Sequence, residues 1–155
     1  HFNKIKEDKV RAKRIIYGLR MKREEEQVQA LISKYRKENE GIELVMAKSG
    51  LRYFVLKDGK GKTPTVGTRV RIHLTSTLAN GKKIASSRAR NQPMNFPVGK
   101  DYLPAGLDMA LMQMKKGERR LLIVPDKLAF GERGAGGGLI PPFATLVYDV
   151  ELVDF

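Results

Sequence analysis

Two hydrophobic rhythms divide this chain. Between Lys4 and Glu38 apolar residues recur at helical spacing in two stretches, with no proline and a single glycine, Gly18, among Glu, Lys, Arg, Ala, Leu and Gln, all good helix formers. Val28, Leu31, Ile32 and Tyr35 stand at i, i+3, i+4 and i+7, one apolar stripe that requires a partner. Ahead of them Ile5, Ala12, Ile16 and Leu19 make a thinner stripe, interrupted by Lys9, which is too weak to fold alone. The region is read as one long helix or two. Glu24, Glu25 and Glu26 before the main stripe, with Lys34, Arg36 and Lys37 after it, follow the charge order of a helix dipole and predict a fresh helix start near Glu24. Asn39 to Gly41 ends the helical region.

From Tyr53 the period changes to two. Tyr53 and Val55, then Val70, Ile72 and Leu74 between Arg69, Arg71 and His73, and finally Leu146, Tyr148, Val150 and Leu152 read as strands, while Asn80-Gly81 marks a turn. Leu107, Ala110, Leu111 and Met114 predict a short helix closed by Gly117; Leu121 to Val124 predicts a buried strand ended by Pro125. Strands around one short helix imply an α+β class. The predicted organisation is a basic, amphipathic helical arm over 1–41, a connector over 42–50 and a domain over 51–155.

Charge sharpens this division. The net +13 is uneven: residues 1–23 hold nine Lys or Arg against Glu7 and Asp8, whereas residues 24–50 hold four against six. Such an arm suits a solvated helix face, or contact with nucleic acid, anionic lipid or an acidic protein. Without cysteine there is no disulfide, thiol nucleophile or thiolate metal site. No apolar run approaches the roughly 18–20 residues that span a bilayer, and the opening HFNKIKEDK lacks the apolar centre of a secretory signal, so the chain reads as soluble.

Phosphate-binding motifs fail on context. No helix pattern follows Gly138, and Gly61-Lys62-Thr63 has Leu56 where a P-loop needs its first glycine. His73 has no second histidine beyond His1 with which to share a metal; no metal and no cofactor are expected. Arg69, Arg71, Lys82, Lys83, Arg88 and Arg90 form a basic cluster without interleaved aromatics, which argues against nucleic acid as a partner.

The richest segment is GERGAGGGLIPPFATLVYDVELVDF, residues 131–155, a glycine-rich loop, a diproline and an alternating strand. Together with NGKKIASSRARNQPMNF, GKDYLPAG, MKKGERRLLIVP and LAFGERG, it resembles the FKBP family over roughly residues 50–155, in the family's order and at about its spacing. The resemblance implies a twisted antiparallel sheet wrapped on a short helix. It also implies a domain that binds proline-containing protein segments and catalyses rotation about the preceding peptide bond. That bond's barrier is about 18–20 kcal/mol, and its twisted transition state has lost resonance, so a dry pocket and well-placed donors suffice without nucleophile or metal.

By the same resemblance the pocket falls on Leu74, Ile84, Ala85, Arg90, Met94, Phe96, Leu103, Pro104, Leu107, Phe130, Leu139, Ile140 and Tyr148, with Leu107, Ile140 and Tyr148 lining a cleft between helix and sheet. Several depart from the family: Leu74 stands for a tyrosine, Ile84 and Met94 for phenylalanines, and Leu107 for the floor tryptophan. Ala85 replaces the aspartate that partners Arg90, Phe130 a tyrosine whose hydroxyl donates to the ligand, and Pro104 a residue whose N–H meets it. Weak or lost catalysis follows. The alternative is a non-catalytic interaction or chaperone module of a larger envelope assembly. Val28, Leu31, Ile32 and Tyr35 are expected to dock a second copy or another protein. GLRYFVLKDGKG and GERGAGG are most similar to envelope FKBPs of Gram-negative bacteria, which implies a periplasmic or envelope location, with the cytoplasm as alternative. Membrane association is expected only through a lipid anchor, and no anchor cysteine occurs in this sequence.

Overall fold

The computed structural model describes residues 2–155, Phe2 by its backbone alone. Helix α1 runs from Phe2 to Glu38 without a break. This corrects the expectation of a fresh start at Glu24. Glu24 and Glu25 cap nothing: Glu24 pairs with Arg20 at 3.7 Å and accepts from the Thr145 N–H at 3.2 Å, while Glu25 binds Arg52 at 2.7 Å. The acidic run is used for tertiary contacts, so the good helix formers on either side continue through it.

Among the described residues seven strands follow: β1 (Val45–Met46), β2 (Arg52–Lys57), β3 (Arg69–Leu78), β4 (Lys83–Ser86), β5 (Met94–Pro97), β6 (Arg119–Val124) and β7 (Leu146–Asp154). They form one antiparallel sheet in the order β1-β2-β6-β7-β3-β4, with β5 paired to β3. The short helix α2 (Ala105–Leu111) lies between β5 and β6 in the chain. Within 42–50, β1 pairs Val45 with Tyr53, and the Ala47 N–H donates to the Leu51 carbonyl at 2.8 Å, so part of this segment belongs to the sheet.

Both faces of the sheet are covered. Leu122 and Val124 of β6 and Leu146, Tyr148, Val150 and Leu152 of β7 share one core with Leu107, Ala110 and Leu111 of α2. Their neighbours Leu121, Ile123 and Val147 face the other way and join Phe54 with Val28 and Ile32 of α1. The run Leu121–Val124 is apolar without alternation because neither face meets water.

The stripe Val28, Leu31, Ile32 and Tyr35 therefore has its partner inside the chain, which corrects the expected docking of a second protein. Val28 and Ile32 are 0% and 1% exposed against the sheet. The Tyr35 ring stacks on Phe54 with centroids 5.8 Å apart, and Leu31 is half-buried at the same seam. The first half of α1 extends past the sheet to the segment Asp126–Thr145. Arg14 pairs with Asp126 at 3.3 Å, its guanidinium lies 4.5 Å from the Phe143 ring centroid, and Tyr17 meets that ring at 6.0 Å. Arg20 donates to the Pro142 carbonyl.

Candidate functional site

On the α2 side of the sheet the chain gathers most of the pocket positions into one apolar body. Leu74 from β3, Ile84 from β4, Met94 and Phe96 from β5, and Phe130 from the loop after β6 are half-buried around a buried base of Leu103, Leu107, Ile140 and Tyr148. The alternation of β3 and β7 explains the arrangement: Leu74 pairs with Val150, and Tyr148 lies one step along the same face. Ile140 arrives from a tight loop in which Ala135 and Ile140 exchange two backbone hydrogen bonds of 3.0 Å. Gly134, at φ +65°, allows this close approach, because a Cβ there would sit 2.1 Å from the Ile140 carbonyl oxygen.

The cleft floor differs from expectation. Leu107 has no exposed surface, and Tyr148 and Ile140 keep only 2% and 5%, so the three meet in a closed base instead of lining an open cleft. The Leu107 side chain is fully covered by its core neighbours. What faces water is the rim: Leu74, Ile84, Met94, Phe96 and Phe130 half-exposed, and Leu139 at 41%. Burial pushes the Tyr148 phenol well above its ordinary range, so the hydroxyl remains protonated at the base of the site.

The polar positions stand apart from this body. Ala85 is exposed on β4, opposite Ser76. Arg90 is exposed, and its guanidinium reaches the Met94 sulfur at 4.0 Å; among the described residues no carboxylate pairs with it. Its neighbour Arg88 instead pairs with Glu151 of β7. Pro104 takes the N-cap position of α2 with φ −54° and ψ 145°, and its carbonyl accepts from Leu107 at 3.0 Å and Asp108 at 3.1 Å. It has no N–H to give a ligand.

Three features of the site's support carry little sequence signal. Asp108, 5% exposed in α2, accepts from the Gly99 N–H at 3.0 Å and ties the helix to the loop after β5. His73 Nδ1 lies 3.0 Å from Ser87 Oγ, which accepts from the Leu74 N–H at 2.8 Å and so fixes the strand behind the rim. Arg14, Tyr17, Arg20 and Glu24 hold the loop segment that carries Phe130 and Ile140. Their helical spacing is visible in the sequence, but their mixed polarity hides the face. Among the described residues no group of three metal-ligating side chains is found.

A sheet wrapped over one short helix, with an apolar rim on the helix side, defines a small α+β domain of the prolyl-isomerase class. The family model of FKBP-type peptidyl-prolyl cis-trans isomerases matches residues 60–153, and the chain belongs to this family. Its relatives include FK506-binding protein 1 of Dictyostelium discoideum, 44% identical over 68% of this chain and 98% of that one. The FKBP-type 22 kDa peptidyl-prolyl cis-trans isomerase of Escherichia coli is 43% identical over 78% of this chain and 58% of its own length. Among solved structures, FkpA from Escherichia coli aligns with 98% of this chain and 70% of its own at a TM-score of 0.66 and 31% identity. AtFKBP13 aligns with 72% of this chain and 98% of its own at 0.67 and 33%. By family, the chain is a peptidyl-prolyl cis–trans isomerase.

Proposed function

We propose that this chain engages proline-containing protein segments at the rim formed by Leu74, Ile84, Met94, Phe96 and Phe130, and that it isomerises them slowly. The observation that carries the reading is the loss of three polar handles around a preserved apolar body: Ala85 and Phe130 offer no donor or acceptor, and Pro104 no N–H. A dry apolar setting favours the less polar twisted amide, which is the part of catalysis this site retains. Each missing hydrogen bond removes about 0.5–1.5 kcal/mol, or roughly two- to tenfold in rate.

In an assay of proline-peptide isomerisation the native chain should run more than about tenfold below an active relative, and Phe130→Tyr combined with Ala85→Asp should raise kcat/KM by about two- to tenfold per restored handle. A native rate within tenfold of the active relative rejects the eroded-site reading.

The closed base of Leu107, Ile140 and Tyr148 favours a second reading, a non-catalytic module for binding or chaperoning clients in an envelope assembly. It predicts peptide binding without catalysis, and no gain of rate in the double variant. The compartment we propose is the cell envelope, with the cytoplasm as the alternative; fractionation of the producing cell separates them.

A further inference from the structure

We propose that the outward face of the first half of α1 seats directly on an anionic lipid surface. Ile5, Ile15, Ile16 and Leu19 are 43%, 75%, 74% and 67% exposed, and Ala12 between them is exposed too. Positions 5, 12, 16 and 19 fall on one side of the helix at 100° per residue, with Ile15 beside them. The opposite side is the one that docks on the domain, through Arg14, Tyr17, Arg20, Glu24 and Val28. This aliphatic stripe is thus left uncovered by the fold.

Its margins are cationic. Lys9 borders it on one side, Lys4, Arg11 and Lys22 on the other, and Arg23 closes its end; all are exposed. The acidic residue on this face within the first 23 positions, Asp8, is paired with Arg11 at 3.9 Å. An aliphatic strip flanked by long basic side chains is the arrangement of a helix lying in a membrane interface, where lysine and arginine stems run along apolar surface while their heads reach lipid phosphates. A second copy fits less well. Two such faces laid together, parallel or antiparallel, bring cations against each other. Nucleic acid would use the charge but leave the isoleucines without a role.

The orientation is compatible with the site. α1 covers the sheet face bearing Phe54, Leu121, Ile123 and Val147, while the rim lies on the other face with α2. A chain lying on its arm keeps the rim open to water. The sequence had left membrane contact to a lipid anchor; the exposed stripe supplies a route that needs none.

Flotation of the full chain with vesicles tests this. Vesicles of phosphatidylcholine with about three-tenths phosphatidylglycerol should bind at least about tenfold more tightly than phosphatidylcholine alone, given about fivefold per cation near an anionic surface, and the binding should weaken with salt. The double variant Ile15→Ser/Ile16→Ser should lose about tenfold or more, and Lys9→Glu/Lys22→Glu a comparable amount, with far-UV circular dichroism unchanged in both. The proposal is overturned by absence of vesicle binding, by equal binding to the two kinds of vesicle, or by full retention in the isoleucine variant. It is equally overturned if the stripe instead holds a dimer that Ile15→Ser/Ile16→Ser dissociates in sedimentation equilibrium while vesicles are ignored.

Discussion

Phe143 adopts φ +60°, a left-handed conformation that costs a bulky residue roughly 1–3 kcal/mol, and it persists because its surroundings fix it. Its ring is 1% exposed under Arg14 and Tyr17, and its N–H donates to the Gly131 carbonyl at 2.9 Å. Helix residues thus support a strained loop position far away in sequence, Arg14 over the Phe143 ring and Tyr17 meeting it ring to ring. Glu24 and Glu25 show how neighbours diverge in such a fold. Burial raises the Glu24 carboxyl above its ordinary range, against the Thr145 N–H and Arg20, whereas the hydrogen bond from Arg52 lowers Glu25. A raised carboxyl contributes stability that is complete below its unfolded value of about 4.3 and is lost as pH rises through its folded value; a lowered one contributes above that unfolded value and is lost as pH falls. Relative to the native chain, Glu24→Gln should therefore gain stability from about pH 4 to about pH 7, and Glu25→Gln should lose it, in urea unfolding at stepped pH. Differences that stay flat across this range would refute both assignments.

At the scale of elements, α1 is one rod with two environments. Its second half is a core helix: Val28 and Ile32 lie against Phe54, Leu121, Ile123 and Val147. Its first half is a strut whose inner edge is polar and whose outer edge is apolar and bare. Ile32→Ala should cost about 2–5 kcal/mol, because it opens a cavity between helix and sheet. Leu19→Ala, at 67% exposure, should stay within about 0.5 kcal/mol. Denaturant midpoints at unchanged m-value measure both, and similar costs for the two would deny the division. The spacing of Val28, Leu31, Ile32 and Tyr35 announced an apolar face without naming what covers it. Leu121–Val124 was legible as a buried strand, yet nothing in those four residues told which of its faces would meet α1.

For the whole molecule, the arm packs its apolar stripe from Val28 onward into the core of the sheet's outer face. A chain beginning at Ile42 should bare the outer sheet face and lose about 3–6 kcal/mol of burial from Val28 and Ile32, which lowers the thermal midpoint by more than about 12 °C. Calorimetry that finds the midpoint unmoved would return the arm to the status of a separate appendage. The arrangement puts the rim and the bare stripe on opposite sides of the sheet. Local periodicity determined the helical character of residues 4–38, the strands at Tyr53, Val70–Leu74, Leu121–Val124 and Leu146–Leu152 and the α+β class, because backbone hydrogen bonding and side-chain direction depend on near neighbours. Departures such as Ala85, Pro104 and Phe130 were plain only against the family that the sequence resembles. Burial was not. That the main stripe is satisfied within the chain, that Glu24 extends a helix it was expected to begin, and that Leu107, Ile140 and Tyr148 form a closed base were decided only in three dimensions. Each depends on which distant surfaces meet, and a residue's sequence neighbours do not specify that.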